Sequence, residues 1–354
     1  MAEDSVLTPG GYRPRSAVHK VEPGHILDGS QGRMRTLSPS GAMVADHGAI
    51  PRRPGNKPLM PGNVARRGDA VPALGSGWIV YADWSNNTGT PVSYFSTTWT
   101  VPPAPATQSG QTIFLFNGIQ NSTMIYQPVL QWGPSAAGGG NYWAVASWYA
   151  DGQGGQAFYS SLVAVNPGDV LTGVMTLTGQ NGASFNYDCN FQGIANTDLT
   201  IQNVEELTWC IETLEAYALA QCSDYPNTAD TAMTNIAIQT GANSPNLAWT
   251  NVNTVIDCGQ QAIVASNANP GGEVDLYYRT PILWQSNLTV GQTFATNESA
   301  NAWAYFATVG WRRIQPGSSD GVTNMLSIFA QAEAKNRQVT IYADNSNVYQ
   351  AYLL

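Results

Sequence analysis

Histidine is missing from most of this chain: all three, His19, His25 and His47, fall within the first 47 of 354 positions. Basic residues thin out in the same way. Ten of the fifteen Lys and Arg precede residue 68, and from Gly77 onward there are one Lys (Lys335), four Arg and eighteen Asp plus Glu. Without imidazole, the region after Gly77 can form no Ser–His–Asp or Cys–His pair and no His-ligated metal centre. Enzymatic chemistry there must rest on carboxylates, amides, hydroxyls and thiols, with no metal or organic cofactor expected. The shortage of cations also disfavours nucleic acid as a partner, because phosphates need them.

Charge divides the chain in two. The first 76 residues carry ten basic and six acidic side chains, a balance of +4, and the remainder carries five and eighteen, a balance of −13. A basic arm beside an acidic body predicts intramolecular contact between them. No charged residue stands between Asp83 and Asp151, where Gly, Ser, Thr, Asn, Gln, Trp and Tyr dominate. Polar but uncharged faces suit an acid-stable secreted β protein, since few carboxylates mean little proton uptake on acidification. The body therefore points to an extracellular location. Met1 to Gly10 is polar and acidic, unlike a signal peptide, and no apolar run reaches membrane-spanning length. Four cysteines, Cys189, Cys210, Cys222 and Cys258, match no zinc spacing. Two disulfides in any of three pairings, or four buried thiols, are both compatible with them.

Residues 1–76 are punctuated by Pro and Gly and show little apolar periodicity, which predicts an extended arm. Arg52-Arg53 and Arg66-Arg67 are candidate processing sites. From Gly77 short β runs alternate with turns. They include Trp78–Tyr81, Tyr94–Val101, Thr112–Phe116, Tyr142–Tyr149, Ser160–Val165, Val170–Leu177 and Leu207–Leu219. This spacing predicts a mainly β fold, a concanavalin-A-like or jelly-roll β-sandwich, over residues 77–267. After Ala268–Gly272 a small α+β accessory domain is expected over 268–354. It comprises a strand Leu276–Leu283, a helix opened by Ser318-Ser319-Asp320 with Met325, Ile328, Phe329 and Ala332 on one face, and a hairpin of Val339–Ala343 and Val348–Leu353.

The middle region resembles the eqolisin glutamic peptidases over about residues 78–257. The resemblance runs through Asp83-Trp84-Ser85, Trp99-Thr100-Val101-Pro102, Phe116-Asn117-Gly118-Ile119-Gln120, Val129-Leu130-Gln131-Trp132-Gly133, Ser147-Trp148-Tyr149 and the turn at Gly168-Asp169. It implies acid-acting endopeptidase activity on protein or peptide substrates. A Glu would serve as general base toward a water, and a Gln amide would orient that water and hold the developing oxyanion. Gln131 corresponds to the family's glutamine. Its glutamate corresponds to Glu212 or Glu215, and strand alternation places these two on opposite faces, so only one can share a cleft with Gln131. Trp84, Trp148 and Tyr149 are the expected substrate-lining aromatics. The resemblance also implies a basic propeptide that inhibits at neutral pH and leaves in acid. Two positions depart from the family: Gln120 and Ala146 stand where it has Asp. The alternative expectation is a non-catalytic carbohydrate-binding or surface structural sandwich, whose Trp, Tyr, Asn and Gln would serve as binding platforms.

Overall fold

A computed structural model describes residues 4–51, 76–152 and 155–354. It separates into two compact units, Met1–Arg279 and Thr280–Leu354. The fold is mainly β, as expected. Arg52-Arg53 and Arg66-Arg67 lie outside the described residues.

The first unit is built on two large sheets. In one, the strand order is Thr250–Asn253, Gly77–Ser85, Trp209–Tyr217, Thr112–Gln120, Met124–Trp132, Trp143–Asp151, Ala157–Tyr159 and Val18–Lys20, with the short Val163–Ala164 also pairing to Trp143–Asp151. The other runs Gln261–Ser266, Gly272–Tyr277, Asp230–Thr240, Val92–Thr100, Val170–Asn181, Ser184–Phe191, Leu199–Val204, Ile26–Asp28, Arg33–Leu37 and Met43–Ala49. Both sheets feed one core. Ile79, Leu115, Tyr126, Leu130, Val145 and Leu214 of the first meet Phe95, Trp99, Met175, Tyr187, Ile201 and Ile238 of the second. Three central strands of the first sheet, Thr112–Gln120, Met124–Trp132 and Trp143–Asp151, are buried at every position. A sheet facing water on one side would alternate, so something must cover the outer face as well.

Part of that cover comes from the N-terminal segment, and here the expectation of an extended arm is corrected. Residues 5–49 carry six short strands. Val18–Lys20 joins the edge of the first sheet beside Ala157–Tyr159, and Ile26–Asp28 joins the second beside Leu199–Val204, both in parallel. The segment thus caps an open edge of each sheet, a device that removes unpaired strand backbone. Its five ion pairs, such as Arg33–Asp46 at 2.9 Å, all join arm residue to arm residue among the described residues. Strand pairing, apolar contact and the hydrogen bonds of Gly10 and Arg13 hold the arm to the body, with no ion pair between the two among the described residues. Each of these strands is only three to seven residues long, too short for a hydrophobic period to stand out in the sequence.

His19 and His47, both from this segment, lie with ring centroids 4.2 Å apart and pack on Phe158 of the body. Burial, followed by repulsion from His19, lowers the His47 pKa to about 4. An unfolded His takes up a proton near pH 6.5, so this group's stabilising contribution is present above about 6.5 and lost as pH falls toward 4. Protection factors for amide exchange in Val18–Lys20 and Met43–Ala49, taken relative to the intrinsic rate at each pH, should fall over that interval. His47→Phe should flatten the pH dependence; an unchanged profile would contradict the assignment.

Of the cysteine pairings left open, one disulfide forms, Cys222–Cys258, while Cys189 and Cys210 are free and buried. It closes a loop of 36 residues. By chain entropy such a loop is worth about 4 kcal/mol. Replacing both cysteines with alanine should lower the denaturation midpoint accordingly, as measured by urea unfolding.

The second unit holds a closed barrel in the order Leu283–Ala295, Ala302–Phe306, Gly310–Ile314, Asn347–Leu353, Gln338–Ala343 and back to the first. Only Gly310–Ile314 and Asn347–Leu353 run parallel. The helix Ser319–Lys335 stands between the third and fourth strands in sequence, with the Ser318 hydroxyl accepting the Gly321 N–H at 3.1 Å as its N-cap. Val322, Phe329 and Ala332 of the helix bury against the barrel interior. Five strands and one helix in this order form an OB-like barrel. The unit begins later than the expected boundary after residue 267, because Gly272–Tyr277 pairs with Asp230–Thr240 in the second sheet of the first unit. The strand expected at Leu276–Leu283 is accordingly divided between the two units.

Candidate functional site

Alternation along the first sheet decides which candidates meet. In Trp209–Tyr217, Cys210, Leu214 and Ala216 belong to the inter-sheet core, whereas Ile211 and Tyr217 belong to an apolar cluster on the outer face. Glu212 therefore points inward and Glu215 outward. Glu212 is fully buried, and the Thr97 hydroxyl of the second sheet donates to its Oε1 at 2.5 Å. Burial raises its pKa well above the ordinary range.

Glu215 sits in a different setting. Its strand neighbours are Trp78 and Phe114, and Phe114 is in turn opposite Gln131, so Glu215 and Gln131 occupy one row of the outer face. Two strand spacings separate their Cα atoms, about 10 Å. The structure thus brings Gln131 onto a face with Glu215 and not with Glu212. Of the expected aromatics, Trp148 lies on the outer face, but Trp84 and Tyr149 lie in the inter-sheet core. Trp148 and Tyr149 are adjacent in one strand and cannot share a face. The Tyr149 hydroxyl donates to Asp151.

Gln131 is fully engaged. Its Nε2 donates to the Gly133 carbonyl at 2.7 Å and the Gly138 carbonyl at 2.9 Å, and its Oε1 accepts the Ser135 hydroxyl at 2.7 Å. The loop folds so closely on the amide that a Cβ at Gly139 would collide with Nε2. The Gln-x-Gly spacing thus has a local cause, a side-chain clamp on the 133–139 turn.

The outer face carries polar groups that sequence reasoning missed as site residues. Gln120 has neither amide atom bonded, and the Gln127 carbonyl oxygen, the Trp148 N–H and the Thr213 hydroxyl are likewise buried without a partner among the described residues. All lie on the same face by register, around Gly118, which stands opposite Ile211. A run of Gln at two-residue parity (Gln127, Gln131) in an otherwise apolar strand is the signal that could have found them. Unpaired buried amides cost free energy and are rare in native interiors, which sets this face apart from the rest of the sheet.

The hairpin of Ser5–Thr8 and Gly11–Pro14 occupies part of this face. Leu7 packs in the cluster with Phe114, Phe116, Val129 and Trp148, and its carbonyl accepts the Ala136 N–H at 2.7 Å. At the hairpin tip the Gly10 N–H donates to Glu215 Oε1 at 2.8 Å, and Tyr217 also donates to that carboxylate. Arg13 is only 3% exposed. Its guanidinium donates to the carbonyls of Asp151 and Gly155, each at 2.7 Å, and to Thr8 Oγ1 at 3.2 Å. Burial lowers its pKa, an effect partly offset by Asp151, Tyr217 and Glu215.

Burial pushes Glu215 up to about 7, while the bonds from Tyr217 and Gly10 pull it part of the way back. Asp151 rises to about 6 for the same reason. Free carboxylates titrate near 4, so both groups stabilise the covered fold fully only below about pH 4. That contribution is lost as pH rises through 6 and 7. Among the described residues no three His, Cys, Asp or Glu gather as a metal site, and no helix is long and apolar enough to cross a membrane.

No known family's sequence profile matches the chain, and no curated protein matches it. Solved structures do. Scytalido-glutamic peptidase with a peptide-based transition-state analogue aligns at 14% identity over 57% of this chain and 98% of that one, with a TM-score of 0.39. The same peptidase with a transition-state analogue inhibitor gives 15% identity, the same coverages and 0.39. SCP-B, a member of the eqolisin family in complex with the tripeptide Ala-Ile-His, gives 14% and 0.36. At this level the likeness is one of β folds alone.

Proposed function

We propose that this chain is a latent, acid-acting peptidase of the glutamic type, working outside the cell on protein or peptide substrates. The observation that carries the proposal is the hairpin itself: an extended stretch of polypeptide lies on the outer face with its Gly10 N–H on the Glu215 carboxylate. A face that holds this backbone has the apolar footing (Leu7 among Phe114, Phe116 and Trp148) and hydrogen-bonding groups to hold another. In this reading Glu215 takes the proton from a water as it adds to the peptide carbonyl, then returns it to the leaving nitrogen. Gln120, Gln127 and Trp148 offer partners to the substrate main chain, and Trp148 also offers apolar contact. Gln131 holds the 133–139 loop in the covered state. For its amide to orient the water or receive the oxyanion, that loop must let go.

One observation favours the second reading, a non-catalytic sandwich that binds carbohydrate or serves a structural role. All three hydrogen bonds of the Gln131 side chain go to its own loop, none to Glu215 or Glu212.

Incubating the full chain with a denatured protein at about pH 4, near the ordinary carboxylate range, separates the two readings. Cleavage of the substrate together with loss of the N-terminal segment is the expected result, because protonation of His47 between about pH 6.5 and 4 loosens the segment against the opposing hold of the protonated Glu215 and Asp151. An intact segment on a soluble, inactive chain would overturn the peptidase reading.

A further inference from the structure

We propose that the Tyr217 hydroxyl is a positioning group for Glu215, fixing one carboxylate oxygen and leaving the other to exchange protons with the attacking water. This role rests on the latent-peptidase reading above. The two oxygens of Glu215 have different surroundings. Oε1 accepts the Gly10 N–H at 2.8 Å and the Tyr217 hydroxyl. Oε2 is buried and has no partner among the described residues. A carboxylate held by one oxygen presents the second in a set direction, as a general base requires.

The groups that favour the ionised carboxylate come from two parts of the chain. Gly10 lies at the tip of the N-terminal hairpin, and the Arg13 guanidinium, which also favours ionised Glu215, belongs to the same hairpin. Both leave when the segment is released. Tyr217 stays, because it stands two residues along the strand from Glu215 and on the same face. Its ring packs edge-on against Phe114 of the neighbouring strand, with centroids 6.3 Å apart. Trp78, beside Glu215 in the other flanking strand, also hydrogen-bonds the carboxylate. Neither Phe114 nor Trp78 ionises, so Arg13 and Tyr217 are the titratable groups acting on Glu215 among the described residues.

The phenol is a permanent donor. Burial, followed by the Glu215 charge, drives its pKa well above the ordinary value near 10, so it keeps its proton across acid and neutral pH. A fixed O–H on the carboxylate favours its ionised form. In acid this decides whether the base works, since a protonated carboxyl takes no proton from water. The hairpin meets the same phenol. Tyr12 stands edge-on to the Tyr217 ring at 5.9 Å, and a Cβ at Gly11 would lie 3.7 Å from the phenol oxygen. The segment therefore covers the positioning group together with the carboxylate.

The test compares the full chain with Tyr217→Phe, which keeps the ring and removes only the hydroxyl. In acid, kcat on a peptide should fall about tenfold or more with KM unchanged, as for a misaligned reacting group. The acid limb of kcat/KM should move up by about one pH unit, because a hydrogen bond to a charged group is worth at least that much. Carboxyl titration of Glu215 by ¹³C detection in the intact chain should show the same upward shift. A merely structural role would lower activity and leave both the limb and the titration in place. An unmoved acid limb with an unmoved Glu215 titration would therefore overturn the proposal. Hydrolysis by neither protein would sink the peptidase reading, and the carboxyl titration would then decide on Tyr217 alone.

Discussion

Glu215→Gln should reduce acid-pH peptide hydrolysis by about 10²- to 10⁴-fold, the usual contribution of a positioned general base, while Glu212→Gln leaves turnover little changed. The contrast follows from the face each residue occupies. Glu215 lies under the hairpin with Gln131 in its row, whereas Glu212 is sealed between the sheets against Thr97. Both replacements keep side-chain volume and one acceptor, so both variants should fold, and steady-state kinetics on a peptide substrate reads the difference directly. The Glu212 variant should still register in a stability measurement. Its amide presents N–H donors to a pocket where Glu212 Oε2 and Asn117 Oδ1 already lack partners. Equal loss in the two variants would contradict the division of roles.

Arg13→Ala should uncover the outer face. The guanidinium is a buried charge carried by the hairpin itself, and it ties together Thr8 and the carbonyls of Asp151 and Gly155. Hydrogen bonds to a charged group contribute about 1.5–3 kcal/mol. Losing about 2 kcal/mol shifts the covered-to-uncovered ratio by roughly 30-fold. Amides of Ser5–Pro14 should lose exchange protection by that factor, and hydrolysis at mildly acid pH should start without a lag. Arg13→Lys keeps the charge but not the planar fork, so it should fall between the wild type and Arg13→Ala. Unaltered protection in Arg13→Ala would mean that Leu7 and the strand pairing hold the hairpin alone.

Strand texture was legible in the sequence because Trp, Tyr, Val and Thr alternate with turn residues at short intervals. So were the C-terminal helix, whose Ser318 cap and Phe329–Ala332 stripe are local features, and the closing hairpin. The N-terminal strands were not, since Val18–Lys20 and Ile26–Asp28 take their structure from the sheet edges they join. Within the site, alternation alone separates Glu212 from Glu215 and Trp148 from Tyr149. Which set faces the inter-sheet core depends on the facing sheet, and that is not encoded locally. The unpaired Gln120 and Gln127 were hidden for a further reason: an amide in a strand looks solvent-facing until burial on both sides of the sheet is known.

The Glu215 carboxyl pKa is the quantity on which the account of a covered site turns. In the full chain, ¹³C-detected titration of glutamate carboxyls, with the resonance assigned by its loss in Glu215→Gln, should place it near 7. Removal of residues 1–14 should return it toward the ordinary range near 4 as solvent reaches the oxygen now bound by Gly10. A Glu215 that titrates near 4 in the intact chain would contradict the burial of this carboxylate beneath the hairpin, and with it the latent site.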